Sequence, residues 1–169
     1  MARVRYRINQ SRSRVLVTAR SSVHDTETEW AEVSGFIEVD PLDPNAGASA
    51  EIEVNMASFD AGDWLKNRKL RKDMDFDKHP LATMKIEKLE NVQRDGAKVS
   101  ATLHGALAWR GKEIAVVVTG SGTLDDKELR AQGNFDINVT KLGITPPKVL
   151  MIKVEDVVSC KVDVVARVA

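Results

Sequence analysis

Apolar and polar residues alternate with period two along most of this chain, and one stretch breaks the rule. Residues Ser49 to Met56 show the alternation most cleanly, with Ala50, Ile52, Val54 and Met56 set against Glu51, Glu53 and Asn55. This is the pattern of a strand with one dry face and one wet face. The same period runs through Arg5 to Asn9 (Tyr6 and Ile8 together), Ser13 to Arg20 (Val15, Val17, Ala19) and Trp30 to Asp40, which has a glycine at 35. Beyond residue 80 it returns in Ala82 to Leu89, Lys98 to Trp109 (Val99, Ala101, Leu103), Glu113 to Gly122, Leu129 to Val139 (Ala131, Gly133, Phe135, Ile137, Val139) and Leu150 to Val168. A break in the last segment is expected near Glu155-Asp156.

Turn chemistry separates these runs. Asp95-Gly96, Arg110-Gly111-Lys112 and Asp125-Asp126-Lys127 read as hairpin turns, Gly35 as a bulge or sharp coil, and Gly120-Ser121-Gly122 as a bulge or strand end. Ser21 to Glu29, Pro41 to Ala48 and Thr140 to Pro147 read as loops, the last with extended backbone at Pro146-Pro147. The exception is Asp63 to Met74, where Trp64, Leu65, Leu70 and Met74 form one apolar stripe at helical spacing. Asp63 stands as N-cap, and Pro80 prevents continuation of a helix or strand. The pattern predicts a mainly β protein: a single antiparallel barrel of about eight strands with one short helical insert, residues 1–169 forming one domain.

Composition narrows the functions open to such a barrel. Lysine plus arginine and aspartate plus glutamate both number 25, so the formal net charge is zero, which argues against nonspecific nucleic-acid binding. Aromatics make up 5%, too few for base-stacking platforms. The lone Cys160 sits in an apolar β-pattern and reads as a buried small hydrophobe. No window resembles an integral membrane span and no secretory leader is visible, so a cytoplasmic protein is expected, or a periplasmic one if a leader once preceded this sequence.

Signals for catalysis are missing: there is no nucleophile elbow, phosphate loop, dinucleotide fingerprint or CxxC pair. His24, His79 and His104 lie far apart and none belongs to a close-spaced ligand motif, so neither a metal nor another cofactor is expected. His79-Pro80 is expected to shape a corner, and His104-Gly105 to mark a place where backbone passes closely. The strongest charge cluster is the run Lys66 to Lys72, which reads either as a solvated helix face balanced by Asp73, Asp75 and Asp77 or as an anion-facing surface.

Several local patterns, in order along nearly the whole chain, resemble the YceI-like family of lipocalin-like barrels that bind polyisoprenoid lipids. Tyr6-Arg7-Ile8-Asn9 with Ser13 and Val15 is similar to the family's opening strand, and Gly35 to Asp40 to its G-x-I-x-F-D strand. Ala57 to Gly62, a charged helix, and then Asp75 to Met84 resemble its S-x-D-T-G…F-D…K-Y-P-x-A-x-F signature. Ala101 to Gly105, Phe135 to Asn138 with Leu142-Gly143-Ile144, and the closing Asp156 to Ala166 complete the resemblance. Three family positions differ: Asn67-Arg68-Lys69-Leu70 lacks the Asp and His of R-D-x-H-L, Ser21 to His24 follows strand two in place of F-x-x-x-H, and Val139-Thr140-Lys141 replaces an arginine.

The resemblance implies a carrier or storage protein that binds an isoprenoid lipid, a polyprenyl chain or isoprenoid quinone, inside the barrel, with no catalytic residue and with homodimerisation a possibility. An eight-strand barrel can hold one slim ligand. The small or branched wall candidates are Val15, Val17, Ile52, Val54, Val99, Ala101, Leu103, Val116 and Val118. Phe36, Phe59, Trp64, Met74, Trp109, Phe135 and Leu142 are candidates for the channel ends and lid, and Arg68, Arg71, Arg110 and Lys112 for an anionic head group. The alternative is a ligand-free interaction or assembly module, its interior plugged by Met56, Met84, Leu103 and Phe135. A third reading, an isoprenoid-processing enzyme, needs Glu113 or His104 to point inward.

Overall fold

A computed structural model describes residues 3–23, 25–144, 148–149 and 152–169. His24 and the Pro146-Pro147 backbone lie outside the described residues. The strands are β1 (Val4–Ile8), β2 (Arg14–Ser21), β3 (Thr26–Trp30), β4 (Val33–Val39), β5 (Ala48–Asn55), β6 (Phe59–Asp60), β7 (Leu81–Asp95), β8 (Lys98–Trp109), β9 (Lys112–Leu124), β10 (Glu128–Asn138), β11 (Lys148–Val149) and β12 (Ile152–Val168). One α-helix, α1 (Trp64–Met74), lies between β6 and β7. The ring runs β1-β4-β5-β7-β8-β9-β10-β12 and closes through β12 on β1, with antiparallel pairing at every step. This is the eight-stranded antiparallel barrel that the alternation predicts.

The first stave is broken in the middle. Ile8 stands opposite Ala166 while Arg14 stands opposite Asp163, so six residues on one side match three on the other. A short turn at Gln10–Arg12 takes up the excess, held where the Ser13 hydroxyl donates to Asn9 O (2.8 Å) and accepts from Val165 N (3.0 Å). β2 thus continues β1 along β12, and β3, paired with β2, precedes β4 in the next stave. The last stave shifts register between Val154 and Val158, where the break near Glu155-Asp156 is expected.

Two readings of the sequence need correction here. Thr26 to Glu29 is strand, not loop, because Thr28 is buried and Glu27 and Glu29 face out; a threonine on the dry face hid the alternation. Gly120 and Gly122 lie in mid-strand with unbroken register, where glycine admits a close approach: a Cβ on Gly122 would collide with Arg130 O.

The turns follow their chemistry. Arg110 (φ 57°) and Gly111 (φ 73°) form a two-residue turn between Trp109 and Lys112, both in the left-handed region that a primed hairpin turn requires. Gly35 (φ 132°) packs so closely on Glu51 O that no side chain fits. Gly105 passes Lys85 O in the same way, as the His104-Gly105 reading anticipates.

Inward residues of all the staves form two connected apolar clusters, one toward the end that carries the β9–β10 turn and one toward α1. Tyr6, fully buried, bridges the first end, its hydroxyl donating to Asp125 O at 2.5 Å. Burial, and then the carboxylates of Asp125, Asp126 and Asp40, raise its phenol above the ordinary range.

Candidate functional site: an apolar channel under a helical lid

The barrel interior is not filled. A floor chamber of about 160 Å³ lies toward the Tyr6 end, and an upper chamber of about 200 Å³ lies under α1. Both are lined by Ile52, Met84 and Val162, which therefore form a waist between them. The floor chamber exists because the staves present small residues to it: Ala101, Gly120, Gly122, Ala131 and Gly133 all stand in its wall. Apolar cavities near 150 Å³ stay dry and take up small apolar molecules.

Aromatic and sulfur side chains form the upper wall. Phe76, 3% exposed, meets Trp30 edge-on at 6.0 Å between ring centres, Phe59 at 4.6 Å and Trp109 at 5.9 Å. The two indoles are oriented by backbone: Trp30 Nε1 donates to Met56 O (3.1 Å) and Trp109 Nε1 to His79 O (2.7 Å). His79 thereby fixes the corner before β7. Cys160 lines the same chamber, and burial, assisted by Asp136, pushes its thiol up to about 12.

Helix α1 lies over this end. Asp63 Oδ1 caps it by accepting from Lys66 N (2.8 Å), and Asp75, left-handed at φ 51°, ends it. Leu70 and Met74 are the helix residues that line the upper chamber. The tethers are polar and peripheral. Asn67 Oδ1 accepts from Ala61 N (2.6 Å), its Nδ2 donates to Asp60 Oδ1 (3.2 Å), and Arg110 Nη1 donates to Met74 O (2.6 Å). The Gly62 N–H and the Asn67 amide together hold the Asp60 carboxyl below the ordinary range. No α1 residue is buried, so the helix is a lid resting on the channel rather than a part of the core.

The sequence-predicted residues separate into four groups. Val15, Val17, Val54, Met74, Trp109, Phe135 and Leu142 line the upper chamber, Val99, Ala101, Leu103 and Val118 the floor chamber, and Ile52 both. Val116 and Phe59 are buried behind the lining, the former in the barrel wall and the latter against Phe76. Phe36 and Trp64 do not belong to the channel. Phe36 is on the outer face of β4, its ring 3.7 Å from the Arg5 guanidinium, because Ile37 and Val39 take the inward positions. Trp64 is 68% exposed, since Leu70 and Met74 claim the inner face of the helix and the single apolar stripe divides in two.

None of the four head-group candidates lines either chamber. Arg71 pairs with Asp77 (2.9 Å) and lies over the Phe59 ring, Arg110 is committed to Met74 O, the Lys112 stem passes beside Gly143, and Arg68 is exposed. His104 and Glu113 are outside as well; His104 Nε2 lies 3.2 Å from Glu90 Oε2, and Glu113 is exposed. Sequence reasoning missed Trp30, Phe76, Leu70, Ile144 and Val162 as channel residues. The aromatic flanked by Asp75 and Asp77 was the one local signal, since a Phe held between two carboxylates in a turn has to bury itself.

Fold and site together define a lidded β-barrel with an apolar interior. The sequence matches the YceI-like domain over residues 6–166, and the chain belongs to that family. Among solved structures, BcnA of Burkholderia cenocepacia aligns over 94% of this chain and 98% of its own with a TM-score of 0.76 at 23% identity. A polyisoprenoid binding domain from Saccharophagus degradans, implicated in plant cell wall breakdown, aligns over 98% and 99% with a TM-score of 0.72 at 11% identity. The Campylobacter jejuni YceI protein aligns over 84% of each chain with a TM-score of 0.64 at 18% identity. At these identities the likeness is one of fold. Comparison with curated proteins finds no match.

Proposed function

We propose that this protein binds one long, slim apolar lipid of the isoprenoid class within the barrel and serves as its carrier or store. The observation that supports this reading is the pair of apolar chambers stacked along the barrel interior, parted only by the side chains of Ile52, Met84 and Val162, an elongated arrangement that suits a chain rather than a compact molecule. The Saccharophagus domain of the same fold, described as binding polyisoprenoids, supports it. Burial of the chain supplies the driving force, about 0.8 kcal/mol per CH₂ equivalent before ordering costs. Specificity then rests on length and girth, since among the described residues no charged side chain lines the chamber under the lid. Cys160, the thiol in the wall, is held protonated by its surroundings and acts as packing.

Native mass spectrometry of the purified protein, followed by organic extraction, tests the proposal. The expected result is added mass of several hundred daltons that extracts as a polyprenyl chain or prenylated quinone. A clean apo mass, with no uptake of added prenyl lipid, overturns it and favours the interaction module.

A further inference from the structure

The outer face of α1 has no role in the channel, and its composition is specific. At about 3.6 residues per turn, Trp64, Arg68, Lys72 and Leu65 fall within an arc of about 100°, outside the arc of about 60° held by Leu70, Met74 and Asn67, which face the barrel. Trp64 is 68% and Leu65 62% exposed, an unusual outlay of apolar surface on so short a helix. Lys66, Lys69 and Arg71 are matched to Asp63, Asp73 and Asp77. Among the described residues, Arg68 and Lys72 have no carboxylate within ion-pair distance. Two apolar anchors and two unmatched cations therefore share one face.

Of the other exposed apolar side chains, Val23 and Leu81 flank strand ends at the lid end of the barrel and Val157 lies in β12 near it, whereas Leu42, Val117 and Val168 lie elsewhere.

We infer that this face docks on an anionic lipid bilayer, with Trp64 and Leu65 seated at the head-group boundary and Arg68 and Lys72 on lipid phosphates. The inference rests on the carrier reading for its purpose: a cargo this apolar resides in membranes and cannot cross water alone, so the mouth must meet a bilayer for loading or delivery. Charge complementarity selects the occupant. A second copy set lid to lid would bring two faces together that each carry Arg68 and Lys72 unmatched, whereas an anionic head-group layer neutralises both and accepts an indole at its boundary. Docking would also place the lid, whose tethers are few and polar, where they can exchange for lipid contacts.

The test is flotation of the full chain with vesicles of phosphatidylcholine alone and with added phosphatidylglycerol, neither containing prenyl lipid. Binding is expected only with phosphatidylglycerol, falling steeply at about 0.5 M salt, where the screening length shrinks to a few Å. Trp30 and Trp109 are buried, so a blue shift of tryptophan emission on binding would report Trp64. Trp64→Ala with Leu65→Ser should abolish the shift and the flotation. Arg68→Gln with Lys72→Gln should lower partitioning about thirtyfold, roughly fivefold for each cation at an anionic surface. All four side chains are at the surface, so an unchanged melting curve keeps each result interpretable.

No flotation with anionic vesicles, flotation indifferent to these substitutions, or a dimer that the Trp64 and Leu65 changes split would each overturn the inference. Uptake of prenyl lipid from detergent micelles is scored separately. Its failure would overturn the carrier reading, and failure of flotation would overturn only the docking surface.

Discussion

Filling the floor chamber should change stability and cargo binding in opposite directions. Ala101 lines that chamber and pairs with Gly120, so leucine at 101 extends into the chamber beside Leu103, whose Cδ1 already lies over Gly120. The chamber holds about 160 Å³, room enough for the larger side chain. Leucine adds three carbons to alanine, worth roughly 2.4 kcal/mol of burial at about 0.8 each. A delipidated Ala101→Leu protein should therefore melt about 5–10 °C higher, at roughly 2–4 °C per kcal/mol for a chain of this size. The same three carbons are denied to the cargo, so a chain long enough to reach the floor should bind about fiftyfold more weakly, at 1.4 kcal/mol per tenfold. Chains short enough to end at the waist should bind as before. The assay is a melting curve paired with competition binding across a series of prenyl chain lengths. A raised melting point with unchanged affinity at every length would show that cargo never enters the floor chamber. A lowered melting point would show that the space is not void and would refute the packing argument itself.

Other perturbations test the mouth. Phe76→Ala removes the ring on which Trp30, Phe59 and Trp109 converge, and should cost about 3–5 kcal/mol, a fall of about 6–20 °C in melting temperature; a fall under about 2 °C would mean the cluster does not hold the lid end together. Cys160, pushed up to about 12, should alkylate at pH 8 roughly a thousandfold more slowly in the folded chain than in the unfolded one, since little thiolate exists until the barrel opens. The same raised value adds stability that is whole below about pH 8.5 and lost as pH climbs toward 12, at about 1.4 kcal/mol per pH unit, with Tyr6 adding to the loss above about pH 10. Urea titrations from pH 8 to 10 should show this decline in the native sequence and a flatter profile in Cys160→Ala; identical profiles would contradict the assignment.

Most of the wall was legible before the fold was known. The alternation through Ala50, Ile52, Val54 and Met56, or through Val99, Ala101 and Leu103, fixes which side of each strand is dry, because successive side chains must point to opposite faces. Arg110-Gly111 and the Asp125 turn likewise announce their hairpins through residues that accept the required backbone geometry or bond back to it. The order of the staves around the ring came only from the structure.

What the sequence by itself determined was most of the strands and their dry faces, the hairpin turns and the single helix, since each depends on residues within a few positions of one another; β3, with a threonine on its dry face, escaped it. The tertiary structure decided everything that depends on partners distant along the chain. Tyr6 meets Val168, and this pairing closes the ring. Ala101 meets Gly120, and with the other small residues that leaves a chamber where larger ones would have left a plug. The apolar stripe of α1 divides because the barrel can cover only one side of a helix: Leu70 and Met74 went to the channel, and Trp64 and Leu65 were left for solvent or for a membrane. A helical period tells which residues share a face, but only the packing around the helix tells which face is covered.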